Sequence, residues 1–201
     1  MDGVFMEHKR MHIWEKAALL ALSLTLLWGA WAQGRQASIA AGVLRLHVIA
    51  VSDSKEEQEL KLRVRDAVLR ELRPLLQDAA NAGEARAIAA ANLPSLAAAA
   101  EAASEGRPVT VSLGRERYPL REYGAFRLPA GQYESLRVTL GEGKGHNWWC
   151  VIFPTLCLEA AEASGLRESL GEENFALVTG REGYALGFWL LERWGELQAM
   201  F

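Results

Sequence analysis

The sequence predicts an α/β domain, built as a small mixed β-sheet covered by helices, behind an N-terminal signal or anchor segment. Residues 44–51 are strand-like and are followed at once by a helix-start signal, more strand-like runs come after residue 108, and alanine-rich helical sequence lies between them. The length of 201 residues allows one ordinary domain and an appendage. We therefore divide the chain into a signal peptide or membrane anchor (1–32), a short linker (33–43) and a single α/β domain (44–201).

The appendage is an apolar run near the N-terminus. AALLALSLTLLWGAWA (Ala17–Ala32) follows several cations and is shorter than the about 20 residues that a comfortable membrane span needs. It ends in small residues at alternate positions, Ala30 and Ala32, as signal peptidase requires. A signal peptide is therefore predicted. An uncleaved anchor is the alternative, because Trp14 and Trp28 are residues that favour membrane interfaces. In both cases the domain lies outside the cytoplasm.

Charge is balanced and well mixed along the chain. There are 25 acidic and 22 basic side chains, for a formal net charge of −3. No basic face is therefore offered to a polyanion, and we expect no nucleic-acid partner.

The first strand and the first helix of the domain adjoin each other. LRLHVIAV (Leu44–Val51) predicts a largely buried strand. Ser54 and Glu57 have capping-box spacing, so a helix is expected to begin there. Pro74 is expected to kink this helix or to start a new segment. Its apolar stripe is Leu60, Val64, Ala67, Val68, Leu72 and Leu75. Its cations are expected on other, solvated faces; they are Lys61, Arg65, Arg70 and Arg73.

Two short helices and three more strands are expected next. The alanine-rich region 79–103 is interrupted by Asn92-Leu93-Pro94, which divides it into two helices. Pro108–Gly114, Ser135–Gly141 and Trp148–Pro154 are typical of strands. A glycine-rich turn separates the last two strands, so we expect them to form a hairpin or a close crossover.

Two further segments complete the domain. Tyr118–Tyr133 is punctuated by prolines and glycines and predicts a structured loop, a kind of segment that is often functional when it is long and ordered. The apolar and aromatic tail Tyr184–Leu197 predicts a strand that runs into a helix docked on the core.

The segment GEGKGHNWWCVIFP (Gly141–Pro154) concentrates distinctive residues. Its glycines and Lys144 lack the spacing of a phosphate-binding loop, and strand-like sequence follows where such a loop needs a helix. The glycines more simply allow positive φ in a tight turn. On a strand, Trp148 and Trp149 point to opposite faces, so one ring is expected in the core and the other at the surface.

Cys150 permits a catalytic alternative and a structural one. With His146 or His47 as the base, it would be the nucleophile of an exported cysteine-dependent cell-wall or peptide hydrolase. Four residues along a strand place His146 about 13 Å from Cys150, which argues against that pair. Cys150 and Cys157 would alternatively form a disulfide, which an oxidising compartment permits, or remain two buried thiols. Paired-ligand spacing is absent, so we expect no metal and no cofactor.

Three stretches of the chain resemble the stage II sporulation protein R family of endospore-forming bacteria. They are Leu44–Leu69, Tyr118–Cys157 and the apolar tail, which together cover essentially the whole domain. The most specific part is GEGKGHNWWCVIFPTLC (141–157), because a run with so many tryptophan, cysteine and glycine positions in this order seldom arises by chance.

This resemblance implies a secreted signalling protein. Such proteins are made in the forespore and exported across its inner membrane into the space facing the mother cell. There they activate the membrane-embedded protease called stage II sporulation protein GA, which cleaves the precursor of the mother-cell sigma factor E. The chain would then be a ligand rather than an enzyme, and the N-terminal segment supplies the export that this role needs.

Contacts with a protein partner are expected on and beside the loops of the second half of the domain. Large aromatic side chains and arginine dominate binding hot spots. On residue type and loop position, the candidate contact residues are Arg121, Tyr123, Lys144, His146 and Trp149.

Overall fold

The computed structural model describes residues 2–123, 126–154 and 163–179. The helices within these residues are α1 (Asp2–Ala41), α2 (Lys55–Leu76), α3 (Ala82–Ala91), α4 (Leu93–Ala103) and α5 (Ala163–Thr179). The strands are β1 (Leu44–Ile49), β2 (Val109–Tyr118), β3 (Arg121–Tyr123), β4 (Phe126–Leu128), β5 (Gly131–Leu140) and β6 (Asn147–Phe153). The tail element predicted at 184–197 and the second cysteine, Cys157, lie outside the described residues.

Four strands form a mixed sheet in the order β2-β5-β1-β6. The central strand β1 pairs in parallel with β5 and antiparallel with β6, while β2 pairs antiparallel with β5. The short strands β3 and β4 form a separate two-stranded sheet within the predicted loop 118–133. The α/β prediction of a small mixed sheet with helices is therefore confirmed.

Three helices cover one face of the sheet. The side chain of Ser54 caps α2 by accepting the backbone N–H of Glu57, as the capping spacing predicts. The helix runs through Pro74 to Leu76, and the predicted pair of alanine-rich helices is present as α3 and α4. The core between these helices and the sheet is mostly aliphatic; its largest fully buried side chains are Leu44, Leu46, Leu60, Leu72, Leu96, Leu136 and Leu140.

One cation of α2 departs from the predicted solvated faces. Lys61 is only 4% exposed, and its Nζ donates hydrogen bonds to Gln58 Oε1 (2.6 Å) and to the backbone carbonyl of His146 (2.9 Å). A buried ammonium needs such acceptors because leaving it unpaired is costly. The prediction that Lys61 is solvated is therefore wrong, and the lysine instead joins α2 to the loop before β6.

The strands β5 and β6 are not a hairpin, because β1 lies between them. Residues 141–146 carry the chain over the end of β1, which corresponds to the close crossover of the two sequence-based alternatives. Gly141 and Gly143 have φ of 54° and 63°, values that disfavour other residues. A Cβ on Gly145 would lie 2.6 Å from the carbonyl carbon of Ser52. The glycines therefore let the loop cross tightly over β1.

The N-terminal helix α1 has the apolar character expected of a signal or anchor. Residues His12–Ala41 are long and apolar enough to cross a membrane, with a mean hydropathy of 1.3. Large exposed side chains along it include Trp14, Leu20 and Leu27. The chain divides after Arg35 into two compact units, and the sheet with its helices belongs to the second.

Candidate functional site

The second face of the sheet is polar and aromatic. Along β1, Leu44, Leu46 and Val48 enter the helix-covered core, so the intervening Arg45 and His47 point to the opposite face. Ser135 pairs with Arg45 and Arg137 with His47 on β5, and β6 contributes Trp149 opposite His47. The larger side chains on this face also include Glu116, Tyr118 and Tyr133. We call it the polar face.

Arg45 lies at the centre of the polar face and is fully buried, at 0% exposure. Its guanidinium carbon lies 3.7 Å from the ring centre of Tyr118, 4.8 Å from that of Tyr133 and 5.7 Å from that of Tyr123. Its Nη2 donates to the hydroxyl of Tyr123. Such contacts with ring faces stabilise a desolvated cation. Nε and Nη1 have no hydrogen-bond partner in the described part of the chain.

The two most buried tyrosines, Tyr118 and Tyr133, stay neutral. Burial raises the pKa of Tyr118 and of Tyr133 well above the usual 10.0. The hydroxyl of Tyr118 lies 2.6 Å from Ser135 Oγ, and that of Tyr133 donates to the carbonyl of Pro129 at 2.6 Å. These bonds fix both rings around Arg45.

His47, on β1, contacts side chains from β2 on one side and from β6 on the other. Its Nδ1 lies 3.2 Å from a carboxylate oxygen of Glu116, and its Nε2 lies 2.9 Å from Asn147 Oδ1. Arg137 also pairs with Glu116, at 3.2 Å. Burial alone would raise the pKa of Glu116, but hydrogen bonds from His47 and Ser135 and the nearby positive charges outweigh burial and lower it. The carboxylate is therefore held in its charged form.

Three of the five candidate contact residues come together at the β3–β4 hairpin. Arg121 and Tyr123 lie on β3, with the guanidinium carbon of Arg121 3.8 Å from the ring centre of Trp149. Trp149 packs against His47, with 5.5 Å between ring centres, and Tyr123 stacks on Phe126 at 5.3 Å. The hairpin is therefore held over the polar face through cations and aromatic rings.

The other two candidates lie on the crossover loop. Lys144 is 75% exposed in its side chain and pairs with Glu142. His146 is 77% exposed, and its Nδ1 lies 2.5 Å from Asp53 Oδ1, which also accepts the His146 backbone N–H. Both side chains are accessible to a partner. The contact roles of all five residues stay predictions.

The tryptophan pair differs from the prediction of one core ring and one surface ring. Trp148 is 37% exposed and lies under the guanidinium of Arg65, 4.5 Å from the ring centre. Trp149 is half-buried beneath Arg121. Neither ring belongs to the aliphatic core. Strand β6 begins at Asn147, and both tryptophans lie at this end of the strand.

The geometry separates the residues of the predicted cysteine hydrolase. Cys150 is 5% exposed, belongs to the helix-covered core and is disulfide-bonded, whereas its pairing with Cys157 reaches outside the described residues and stays a prediction. His47 belongs to the polar face, with acceptors facing both ring nitrogens. His146 is exposed at Asp53. No histidine is thus seen to serve Cys150 within residues 2–123, 126–154 and 163–179. The same residues contain no group of three or more side chains that could hold a metal ion.

Sequence reasoning missed Arg45, Glu116 and Asn147. Arg45 and His47 alternate with leucines in LRLHVI, and this alternation is a signal that the second face of the strand is polar. Glu116 and Asn147 carried no comparable signal, because their approach to His47 depends on strand register between distant segments.

Comparisons with known proteins identify the family of this chain. Residues 40–163 match the family described as stage II sporulation protein R. The curated protein stage II sporulation protein R of Bacillus subtilis (strain 168) is 36% identical over 135 residues, which cover 65% of this chain and 60% of that protein. No solved structure gives a significant match. The family match extends from the end of α1 to the start of α5 and includes every strand of the sheet, so the chain belongs to the stage II sporulation protein R family.

Proposed function

We propose that this protein is an exported signal of endospore formation. In this role it activates the membrane-embedded protease stage II sporulation protein GA, which then processes the precursor of sigma factor E. Export carries it from the forespore into the space between the two membranes. The family match over residues 40–163 carries the proposal.

Two structural features support this role. The apolar helix His12–Ala41 is suited to direct export or to hold the chain at a membrane. The disulfide at Cys150 is a bond that persists in oxidising compartments outside the cytoplasm. Activation requires only that binding favours the active state of the protease, for example its dimer, through a difference in affinity between states.

The test of this function is reconstitution in cells that do not sporulate. The cells contain the membrane protease and the sigma factor precursor, with or without this protein, and cleavage is followed by immunoblot. We expect cleavage with the full chain and none with a version that lacks residues 1–32. Absence of cleavage, with the full chain detected outside the cytoplasm, would refute the activating role.

The crossover loop gives a test of the contact surface. We expect Lys144→Glu to reduce precursor cleavage while leaving the free energy of unfolding within about 0.5 kcal/mol of the original, because exposed ion pairs contribute little. Arg63→Glu is the matched control, since Arg63 is also exposed and pairs with Glu105 on another part of the surface. Equal precursor cleavage by Lys144→Glu and Arg63→Glu would show that Lys144 is not part of the contact surface.

A further inference from the structure

The polar face contains positive charge that the described residues do not neutralise. Arg45 is fully buried and retains two unpaired nitrogens, Nε and Nη1. Arg121 Nε is likewise buried without a hydrogen-bond partner in the described part of the chain. An arginine side chain cannot lose its proton in a protein, and burying a charge without a partner is costly. Aromatic rings offset part of this cost for each arginine.

Both arginines lie near Tyr123. Arg45, on β1, donates to the Tyr123 hydroxyl through Nη2. Arg121 lies two residues before Tyr123 on β3, so the side chains of Arg121 and Tyr123 leave β3 on the same side. Burial raises the pKa of the Tyr123 phenol, whereas the nearby charges of Arg45 and Arg121 oppose this rise. Two cations therefore lie near the neutral phenol, Arg45 from β1 and Arg121 from the hairpin itself.

The remaining donors suit a carboxylate. The Nε–H of an arginine and one Nη2–H point in the same direction and form a fork that matches the two oxygens of a carboxylate. In Arg45, Nε has no hydrogen-bond partner, whereas Nη2 donates to the Tyr123 hydroxyl. Moving Tyr123 would leave the whole fork available. The nearby carboxylate of Glu116 is already engaged by His47 and Arg137.

The hairpin that carries Tyr123 is not part of the four-stranded sheet. Strands β3 and β4 pair with each other and not with the four-stranded sheet. Its side-chain contacts over the polar face include those of Arg121 with Trp149 and of Tyr123 with Arg45, while β4 packs against α5 and buries Leu128. No ladder of backbone hydrogen bonds to the main sheet has to break within the described residues.

We infer that Arg45 and Arg121 form a carboxylate-binding site that the side chain of Tyr123 covers in the free protein, and that its occupant is an Asp or Glu side chain of the protein partner. The identity of that partner rests on the proposed function, whereas the chemistry of the site does not. Binding moves Tyr123 aside, and the incoming carboxylate supplies the missing charge.

The first test uses succinate as the probe and requires no receptor. The full chain, labelled with ¹⁵N-arginine in a neutral detergent, is titrated with sodium succinate or with sodium chloride at equal ionic strength, and the arginine Nε–H signals are followed by NMR. The signals lost in Arg45→Lys and Arg121→Lys identify the two side chains. We expect both to shift saturably with succinate alone, while the exposed Arg63 responds equally to both salts.

The variant Tyr123→Phe tests whether the Tyr123 hydroxyl competes with succinate for Arg45. The variant removes the hydroxyl that occupies Arg45 Nη2, so we expect succinate to bind about threefold tighter or better. Shifts that chloride reproduces, or an unchanged affinity in Tyr123→Phe, would overturn the site.

A second test addresses the occupant. Arg45→Met exchanges an unpaired buried charge for an apolar side chain, so we expect a melting temperature no lower than that of the original protein, together with at least about tenfold less precursor cleavage. A lower melting temperature would show that Arg45 supports the fold, and undiminished cleavage would exclude a partner carboxylate. If the original chain triggers no cleavage, the proposed function fails, while the succinate result still decides whether the site exists.

Discussion

Lys61 Nζ donates a 2.9 Å hydrogen bond to the backbone carbonyl of His146 and so joins helix α2 to the loop that crosses over β1. Burial lowers the pKa of this lysine, against the opposing effect of Asp53. Asp53 itself accepts from the backbone N–H of His146. The loop is thus fastened on both sides of His146 by residues from the α2 region.

We predict a local effect for Lys61→Met. The variant removes the hydrogen bond to His146 and also the cost of burying an ammonium, and because these terms oppose each other we expect the free energy of unfolding to change by less than about 1 kcal/mol. The loop loses its fastening, so amide hydrogen exchange at Gly145 and His146 should become about tenfold faster. Lys55→Met, on the exposed side of the same helix, is the control. Unchanged exchange in the loop would show that the Lys61 bond does not hold it.

Gly145 should not tolerate a side chain. A Cβ at this position would meet the backbone of Ser52, and Gly145 N–H donates to the carbonyl of Ala50 at 2.9 Å. We expect Gly145→Ala to lower the free energy of unfolding by about 2 kcal/mol or more, because backbone atoms cannot move aside as a flexible side chain can. Gly114→Ala is the matched control, since nothing lies within 4 Å of its added Cβ. Urea unfolding of both variants checks the prediction, and equal losses would contradict it.

Glu116 should make stability depend on acid pH. Its pKa in the folded protein is lower than the usual 4.5, so between these two values the unfolded chain binds more protons. The stabilising contribution of its carboxylate is therefore complete above about pH 4.5 and is lost as the pH falls through the folded pKa. We expect Glu116→Gln to be less stable at pH 7 and to converge with the original protein at low pH. A constant difference at all pH values, measured by urea unfolding, would rule out this linkage.

Variants of the two cysteines distinguish a signalling protein from a hydrolase. If Cys150 and Cys157 form a structural disulfide, Cys150→Ser and Cys157→Ser should reduce precursor cleavage and stability to the same extent, by about 2–4 kcal/mol of unfolding free energy. A hydrolase would instead lose activity only in Cys150→Ser, with its fold intact. Parallel cleavage and unfolding assays of the two variants distinguish these results.

The elements of the fold follow largely from local sequence patterns. The apolar run of β1, the cap at Ser54 and the break between the alanine-rich helices each reflect neighbouring residues, so the sequence alone predicts them. The order of the strands in the sheet is not determined by neighbouring residues in this way. A glycine turn between two strands fits a hairpin as well as a crossover, and only the insertion of β1 between β5 and β6 decides between them.

The site was less predictable because it also depends on pairing between distant segments. Arg121, Tyr123 and Trp149 could be chosen by residue type, but Arg45 precedes Tyr123 by 78 residues, on a strand expected to be largely buried. The charge of Lys61 favours solvent, although its i+3 and i+7 spacing to Val64 and Val68 places it on the apolar stripe of α2. Its burial depends on the crossover loop, which approaches it from a distant part of the chain.

The central place of β1 has a consequence for how the molecule acquires its structure. Leu44 pairs with Glu134 on one side and with Phe153 on the other, 90 and 109 residues later in the chain. If the chain emerges N-terminus first from the export machinery, its first strand waits unpaired on both edges until most of the domain has followed. Contacts between such distant segments slow folding and leave strand edges open to wrong pairing in the meantime. The rate at which folded protein accumulates would then be set by the completion of the sheet.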